Sequence, residues 1–299
     1  MHKRRCGRRL GELFCLIAFV FSHSASASQP HLRSFRQIFV EDYLTQFIHY
    51  LVTAGLAFFI FYVLLKRRFI HRKIQQKFPK GSEIRREVLY SLSSIAVFSG
   101  VGLIAIFFYR MGWGYNYDPS GKYGWPYFWL SVAVLIFAHD TWFYWTHRFM
   151  HWRPIYRHVH MVHHQSQNPT PWAAFAFHPL EAFVESIYFP LVILLLPVND
   201  FAILIWLLYM TTLNVFGHLG FELLPRGFAR HWLSRWHNTS VHHNMHHKYF
   251  NCNYGLYFNI WDRLMNTNHV RYEDEYDELL STRTKPRPDG GVPKPQEPV

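Results

Sequence analysis

Histidine is the residue type whose number and spacing in this chain point most directly to chemistry. Of the 21 histidines among 299 residues, fifteen lie between positions 139 and 247. Eight of these fall in three histidine boxes, namely HRFMH (His147–His151), HMVHH (His160–His164) and HNMHH (His243–His247). Side chains three or four positions apart share one face of a helix, so the imidazoles within each box can converge on one point.

Convergent imidazoles indicate metal binding. Imidazole is the commonest metal ligand in proteins and suits iron, zinc, copper or nickel. One HxxHH segment would barely exceed chance in a basic protein, but three boxes near the ends of apolar segments are different, because each buried imidazole needs a partner. Eight imidazoles are enough for two metal ions. With only three cysteines, the chain cannot build a disulfide scaffold or a cysteine-based zinc or iron–sulfur site.

Carboxylates are expected to play an outer role at this site. The chain has no ExxH pair of the kind used by soluble di-iron bundles, so the site should be dominated by histidine. Nearby acids could orient the ligand rings through their second ring nitrogen, and these are Asp140, Glu181, Glu185 and Asp262. His139 is either an outer ligand or a partner in a hydrogen bond inside its helix, and His242 is expected beside the ligands.

The elements that position the boxes are predicted to be membrane helices. Leu44–Leu65 and Leu89–Tyr109 are each long enough to cross a bilayer. A third helix starts near Pro126 and should return by about His147. The runs Phe183–Leu196 and Phe201–Phe216 are shorter than a comfortable span, so we expect a helical hairpin that dips into the membrane and returns.

Basic residues define targeting and topology in this sequence. The formal net charge is +12, but five basic residues precede the short apolar run Leu13–Phe21, a pattern typical of a secretory signal cleaved near Ala27. Nine Lys/Arg lie between positions 66 and 87, and such a loop belongs in the cytoplasm by the positive-inside rule. The charge therefore does not indicate a nucleic-acid partner. It places every histidine box at the cytoplasmic face.

The predicted fold is all-α: a polytopic membrane helical bundle with a histidine-rich dimetal site at its cytoplasmic face. We divide the chain into a signal-like segment (1–28), N-terminal transmembrane helices with a basic cytoplasmic loop (40–124), a catalytic domain (125–272), and an acidic, then Pro-rich tail (273–299) whose Pro-rich part is expected to be disordered.

The ordered boxes and their flanks resemble the fatty acid hydroxylase (sterol desaturase) superfamily over roughly residues 90–270. The flanking text that carries the resemblance is DTWFYWTHRFMH, HHQSQNPTPWAAFAFHPLE and, after the third box, NYGLYFNIWDRLMNT. One departure is Asn266, which stands where the family usually has glycine. Asparagine, like glycine, tolerates the left-handed backbone of a turn, so this departure does not weaken the resemblance.

The resemblance implies a non-haem site with two iron ions that uses dioxygen to hydroxylate or desaturate a lipid C–H bond. The lipid would be a sterol, a fatty acyl chain, an ether lipid or a carotenoid. It also implies the roles of individual residues. His178 is placed near the site, and His218 is a further candidate ligand. The eight metal ligands and catalytic residues carried over are His147, His151, His160, His163, His164, His243, His246 and His247.

Electrons must come from outside the chain. It has no GxGxxG fingerprint for a nicotinamide or flavin, no CxxCH haem site and no HPGG segment of a fused cytochrome. A ferredoxin or cytochrome-type donor with its reductase is therefore expected, together with a lipid substrate drawn from the bilayer. The expected location is a bacterial inner membrane.

Other classes of function remain open from the residues alone. A histidine-rich metal-binding or metal-transport protein is the main alternative, and a structural zinc protein is another. Transporters place their ligands near the bilayer midplane on broken helices, whereas these boxes lie at helix ends and beyond.

Overall fold

The computed structural model describes residues 33–282, and every regular element in that range is helical. Short turns of other helix types join the helices, and the only β pairing in this range consists of isolated bridges. The predicted all-α class is confirmed. The helices are α1 (Phe35–Phe58), α2 (Gly81–Arg110), α3 (Gly124–Met150), α4 (Arg153–Val159), α5 (Met161–His164), α6 (Pro179–Ser186), α7 (Tyr188–Leu195), α8 (Asp200–Gly217), α9 (Ser240–Tyr249), α10 (Ile260–Leu264) and α11 (Tyr272–Thr282).

Three of the described helices are long and apolar enough to cross a membrane. They are α1 with its π-helical continuation to Leu64, α2, and α8. The sequence predicts α3 as the third crossing and the two apolar runs Phe183–Leu196 and Phe201–Phe216 as a shallow hairpin. The structure has two helices there, α7 and α8, separated at Pro197–Asp200, and α8 alone is long and apolar enough to span, so the shallow depth stays a prediction. Asn199 caps α8 by accepting a hydrogen bond from the Phe201 amide, and the helix then runs unbroken for 18 residues. α3 is 27 residues long, but its second half carries polar residues such as His139 and Asp140.

The basic segment between α1 and α2 packs against the chain that follows α8 and against the third box. Arg72 donates to the carbonyls of Glu222 and Leu224 at 3.1 and 3.0 Å. Lys73 is fully buried, and Gln75 donates to the Asn244 side chain inside the third box at 2.9 Å. The nine basic residues and the boxes therefore belong to the same end of the bundle.

A tight joint follows α8 at Gly220. The Tyr62 hydroxyl donates to the Leu219 carbonyl at 3.0 Å, which brings the end of α1 against the chain just after His218. Gly220 has φ +73°, and a Cβ there would lie 2.6 Å from the Tyr62 hydroxyl oxygen and 3.3 Å from the Lys73 ammonium. Only glycine fits both the backbone conformation and the space.

Substituting Gly220 tests this joint. We expect Gly220→Ala to lower stability by about 2–5 kcal/mol, because left-handed strain of about 1–2 kcal/mol is added to overpacking of about 1–3 kcal/mol. Gly227 is a matched control, since it has φ +79° but open space around its Cβ position. Gly227→Ala should show the backbone strain alone. Thermal unfolding of both detergent-purified variants measures the difference, and equal losses would contradict the close approach.

The acidic segment after the third box forms α11. Tyr272, Tyr276 and Leu280 pack with Val241 and Met245 of α9 in one buried cluster. The acidic start of the tail therefore supports the helix that carries the third box. The predicted signal segment (1–28) and the Pro-rich end of the tail lie outside the described residues.

Candidate metal centre

The third box lies on α9, a short helix that is almost entirely buried. Thr239 caps it by accepting a hydrogen bond from the His242 amide at 3.1 Å. On this helix His243 and His247 are four residues apart and share one face, whereas His246 points to another. The box therefore supplies histidines to two places at once.

The first place is a five-histidine cluster. It contains both histidines of the first box, two of the second and one of the third, namely His147, His151, His160, His164 and His246. One potential ligand atom from each lies within 4.8 Å of all the others. The closest pairs join Nε2 atoms, His147 to His160 at 3.0 Å and His151 to His164 at 3.1 Å.

The second place is a four-histidine cluster made of His163, His218, His243 and His247. Its Nε2 atoms are 3.0 Å apart between His218 and His243, 3.2 Å between His243 and His247, and 3.3 Å between His218 and His247. His218 enters from the end of α8, where its ring Nδ1 lies 2.8 Å from the Asn214 carbonyl.

The two clusters adjoin, because the second and third boxes contribute to both. The His164 and His247 ring centroids, one from each cluster, are 5.1 Å apart. The structure thus brings together all eight ligands that were predicted and the further candidate His218, and it divides these nine residues into two neighbouring sets.

Backbone carbonyls fix the orientation of several rings. The Nδ1 atom of His147 lies 2.8 Å from the Tyr254 carbonyl, and that of His246 lies 2.6 Å from the Cys252 carbonyl. A carbonyl only accepts, so each Nδ1 carries the proton and each Nε2 is left with a free lone pair. That tautomer is the one a metal ion requires at Nε2.

One carboxyl group reaches a cluster directly. Glu181 on α6 is buried, and its Oε1 lies 2.7 Å from Nδ1 of His160. Burial, with Glu185 nearby, raises the pKa of the Glu181 carboxyl well above its usual range. Glu185 itself contacts the Thr146 hydroxyl at 3.3 Å rather than a histidine. Of the four predicted carboxylates, Glu181 makes a direct contact with a cluster ring.

Burial keeps the imidazoles neutral. It lowers the pKa of His151 to about 2. It also holds the pKa well below the usual range for His160, His163, His164, His243, His246 and His247. Neutral imidazole is the form that binds a metal, so no proton must be displaced from these rings near neutral pH.

The spacing of the nitrogens fits metal ions. With a metal–nitrogen distance of about 2.0–2.1 Å, two ligand nitrogens at right or tetrahedral angles lie roughly 2.8–3.4 Å apart. The Nε2 pairs in both clusters have that separation. In addition, Nε2 of His246 is buried inside the five-histidine cluster without a hydrogen-bond partner. A bound cation would satisfy this nitrogen.

The remaining candidates act elsewhere in the fold. His139 hydrogen-bonds the Tyr257 hydroxyl at 2.8 Å and lies outside both clusters, so its partner belongs to the loop after the third box and not to its own helix. Asp140 accepts from the Tyr257 and Phe258 amides instead of orienting a ring. A buried carboxylate is better satisfied by two amide donors than by one imidazole.

Three further residues anchor local structure. Asp262 accepts from the Tyr254 amide at 2.9 Å, so it reaches His147 only through the Tyr254 carbonyl. His242 hydrogen-bonds the Asn268 side chain at 3.0 Å and faces away from both clusters. His178 caps α6 by accepting from the Leu180 amide at 3.2 Å, and so positions the helix of Glu181.

The carbonyls of Asn214, Cys252 and Tyr254 were missed in the sequence. Every residue has a carbonyl, so no residue type marks the one that meets a ring. Phe250 and Asn253 have a left-handed backbone in the turn that brings the chain back under α9. Asparagine tolerates this conformation, so Asn253 is the nearest signal in the sequence. Asn266 also has a left-handed φ of +54°, consistent with its standing where glycine is usual.

Comparison with known proteins places the chain in a family. Residues 132–267 match the fatty acid hydroxylase family. A Delta(7)-sterol 5(6)-desaturase of Aspergillus fumigatus is 30% identical over 242 residues, which cover 81% of this chain and 68% of that protein. Lathosterol oxidase of Rattus norvegicus is 29% identical over 75% of this chain and 76% of its own length. A Delta(7)-sterol 5(6)-desaturase of Gibberella zeae is 31% identical over 70% of this chain and 61% of its own length. No solved structure matches the chain.

The helices able to cross a membrane and the paired histidine clusters define a membrane protein with a site able to bind metal. With the relatives above, the chain belongs to the fatty acid hydroxylase/sterol desaturase superfamily. It is an enzyme that hydroxylates or desaturates a C–H bond of a lipid, as the resemblance of its boxes implied.

Proposed function

We propose that the two clusters hold two iron ions and that the enzyme uses dioxygen to oxidise a sterol or another rigid polycyclic lipid. The observation that carries the proposal is the pair of adjoining buried clusters, each built of neutral imidazoles with converging Nε2 atoms. Bound iron would supply the reduction of dioxygen and the removal of hydrogen from an unactivated carbon. The sterol class is favoured because the relatives named above are Delta(7)-sterol desaturases and a lathosterol oxidase.

The reaction needs two electrons from outside the chain. In desaturation, two hydrogens leave neighbouring carbons, and dioxygen takes up these with two electrons and two protons to give two waters. In hydroxylation, one oxygen atom enters the C–H bond and the other leaves as water. We propose a ferredoxin or cytochrome-type donor with its reductase, since the chain has no fingerprint for a nicotinamide or flavin.

The residues around the clusters would position the lipid and exclude water. Phe143, Leu256 and Tyr257 form a buried apolar cluster beside His147, together with side chains of α8. Phe177 lies against His163, with ring centroids 5.0 Å apart. These walls are suited to an apolar substrate and keep competing water from the reacting carbon.

We infer that the site faces the cytoplasm of a bacterial cell. The basic segment packs on the chain after α8 and on the third box, so this segment and the metal centre lie at one end of the bundle. By the positive-inside rule a loop with nine Lys/Arg stays in the cytoplasm. This supports the orientation proposed from the sequence, and an inner-membrane location follows for a bacterial host.

Reconstitution tests the proposed function. We expect the purified protein, loaded with iron and supplied with a reduced ferredoxin, oxygen and a Delta(7)-sterol, to give a product that is two mass units lighter or sixteen heavier. A phospholipid with saturated acyl chains serves as the competing substrate. Oxidation of the phospholipid alone would contradict the sterol assignment. Oxygen uptake that does not depend on any lipid, together with metal flux in vesicles, would contradict the oxidase.

Glu181 offers a test of how one ring is oriented. We expect Glu181→Gln to weaken metal binding at the five-histidine cluster about 10–100-fold, because a carboxyl group beside a ligand ring fixes its tautomer and raises its basicity. Glu185→Gln is the matched control, since Glu185 lies on the same helix without touching a cluster ring. Competition with a chelator, read as metal per chain, measures both variants. Equal retention of metal would contradict the role of Glu181.

A further inference from the structure

One side of α3 is apolar and exposed from Leu130 to Phe149. The exposed side chains on this side are Leu130, Val134, Phe137, Trp145 and Phe149. Such a continuous stripe is out of place in water and is typical of a surface that faces lipid. Segments that pack against this stripe therefore lie at the same depth in the membrane as the α3 residues that they contact.

The chain from Phe258 to Trp261 lies along the inner half of this helix. The Phe258 ring stacks on Phe137 with centroids 5.0 Å apart. Trp261 donates to the Thr141 hydroxyl at 3.0 Å and packs on Trp145 at 5.6 Å. This loop, which follows the third box, is therefore at the depth of Phe137 to Trp145.

A second segment is attached to that loop by its backbone. The Asn259 amide donates to the Trp236 carbonyl at 3.0 Å, and His237 forms an antiparallel bridge with Phe258. The Arg263 side chain donates to the Arg235 carbonyl at 3.2 Å. The turn Ser234–Trp236 thus shares the depth of the inner half of α3.

These two segments expose large apolar side chains side by side. Trp232 is 73% exposed, Leu233 66% and Leu264 63%. Together with Trp236 and Met265, which are also exposed, these residues are called the anchor patch. The Arg235 guanidinium lies 4.8 Å from the centre of the Trp236 ring, and that of Arg263 lies 5.7 Å from it. Tryptophan and aliphatic side chains rimmed by arginine are the composition of a membrane interface.

We propose that the anchor patch inserts into the lipid leaflet that surrounds the inner half of α3, with Arg235 at the level of the phosphates. Burial of the patch in lipid removes exposed apolar surface from water, and the exposed Arg235 gains an anionic partner, whereas Arg263 is already paired with Glu273 at 3.0 Å. The loop held in this way also carries Tyr254, whose carbonyl orients His147. Membrane contact would therefore restrain one wall of the metal centre.

Site-specific fluorescence in a bilayer tests the proposal. Leu233→Cys and Leu264→Cys probe the two segments of the patch, and Glu278→Cys on the exposed acidic face of α11 is the control. Each is made in a chain with Cys6→Ser and Cys15→Ser, in which Cys252 is buried, and is labelled with a fluorescent maleimide. The labelled proteins are placed in nanodiscs of phosphatidylcholine and phosphatidylglycerol. Metal content equal to that of the parent shows that the centre is intact.

We expect a lipid-borne nitroxide to quench both patch labels severalfold more strongly than the control label, and aqueous iodide to quench them severalfold less. Iodide quenching equal to that of the Glu278→Cys label would overturn the proposal. Labels protected from iodide but not quenched by the lipid nitroxide would also overturn it, because a protein surface rather than lipid would then cover the patch.

Discussion

Replacing His246 by alanine is expected to reduce lipid oxidation by at least about 100-fold. His246 is the single histidine that the third box gives to the five-histidine cluster. Changes to groups that merely support a ligand already cost about 10–100-fold in metal affinity or activity, so loss of a ligand should cost more. The side chain is buried and its Nδ1 is held by the Cys252 carbonyl, so no neighbouring group can take its place.

Metal analysis distinguishes the two clusters. We expect bound metal to fall from about two ions per chain to about one in His246→Ala, and the same in His243→Ala, which removes a ligand from the four-histidine cluster instead. His158→Ala is the control, because His158 is an exposed histidine on α4 between the first two boxes. Full activity with two bound ions in His246→Ala would refute its assignment as a ligand.

The ligands could be predicted because their spacing is local. Residues four apart on a helix share a face wherever the helix is placed, so HMVHH and HNMHH each keep one pair together, His160 with His164 and His243 with His247. How the rings divide is not local. His163 and His164 are neighbours in the sequence but belong to different clusters, and that division depends on how α5, α8 and α9 pack.

His218 belongs to the four-histidine cluster, but no local sequence pattern marks it as a site residue. It has no box around it, and it was placed near the site by resemblance alone. Its position depends on the length of α8 and on the Asn214 carbonyl one turn earlier. We had expected that helix to be part of a shallow hairpin, because the preceding Pro197–Asp200 segment reads as a break. The Asn199 side chain caps this segment, so it forms the start of the continuous helix α8.

The roles of the carboxylates are the part of the site that residue type predicts least. Asp140, Glu181 and Asp262 have the same acidic character in the sequence, but only Glu181 contacts a ligand ring directly. The two aspartates bind backbone amides of the loop after the third box. Nothing in residue type separates these roles, because they are decided by which donors the folded loop leaves unpaired.

Replacing Asp262 by alanine is expected to be strongly destabilising. Asp262 is fully buried, and its carboxylate accepts from the Tyr254 amide at 2.9 Å, the Gly255 amide at 2.7 Å and the Thr267 hydroxyl at 2.7 Å. Alanine would leave the Tyr254 and Gly255 amides without this acceptor, whereas the Thr267 hydroxyl still has the Tyr144 hydroxyl at 3.0 Å. Two unsatisfied buried donors cost about 1–3 kcal/mol each, so the expected loss is about 2–6 kcal/mol. The loss should appear as a fall in the thermal unfolding temperature of the detergent-purified protein.

A conservative change at the same position separates folding from metal binding. Asp262→Asn keeps the volume and one acceptor but turns an amide group toward a backbone donor, so we expect a smaller loss of stability. It should still weaken metal binding, because a shifted Tyr254 no longer holds the His147 ring. Asp118→Ala is the control: Asp118 is exposed and bonds only its near neighbour Ser120, so its loss should stay within about 0.5 kcal/mol. If Asp262→Ala unfolded at the same temperature as Asp118→Ala, the carboxylate would not be the anchor of this loop, and the orientation of His147 would need another cause.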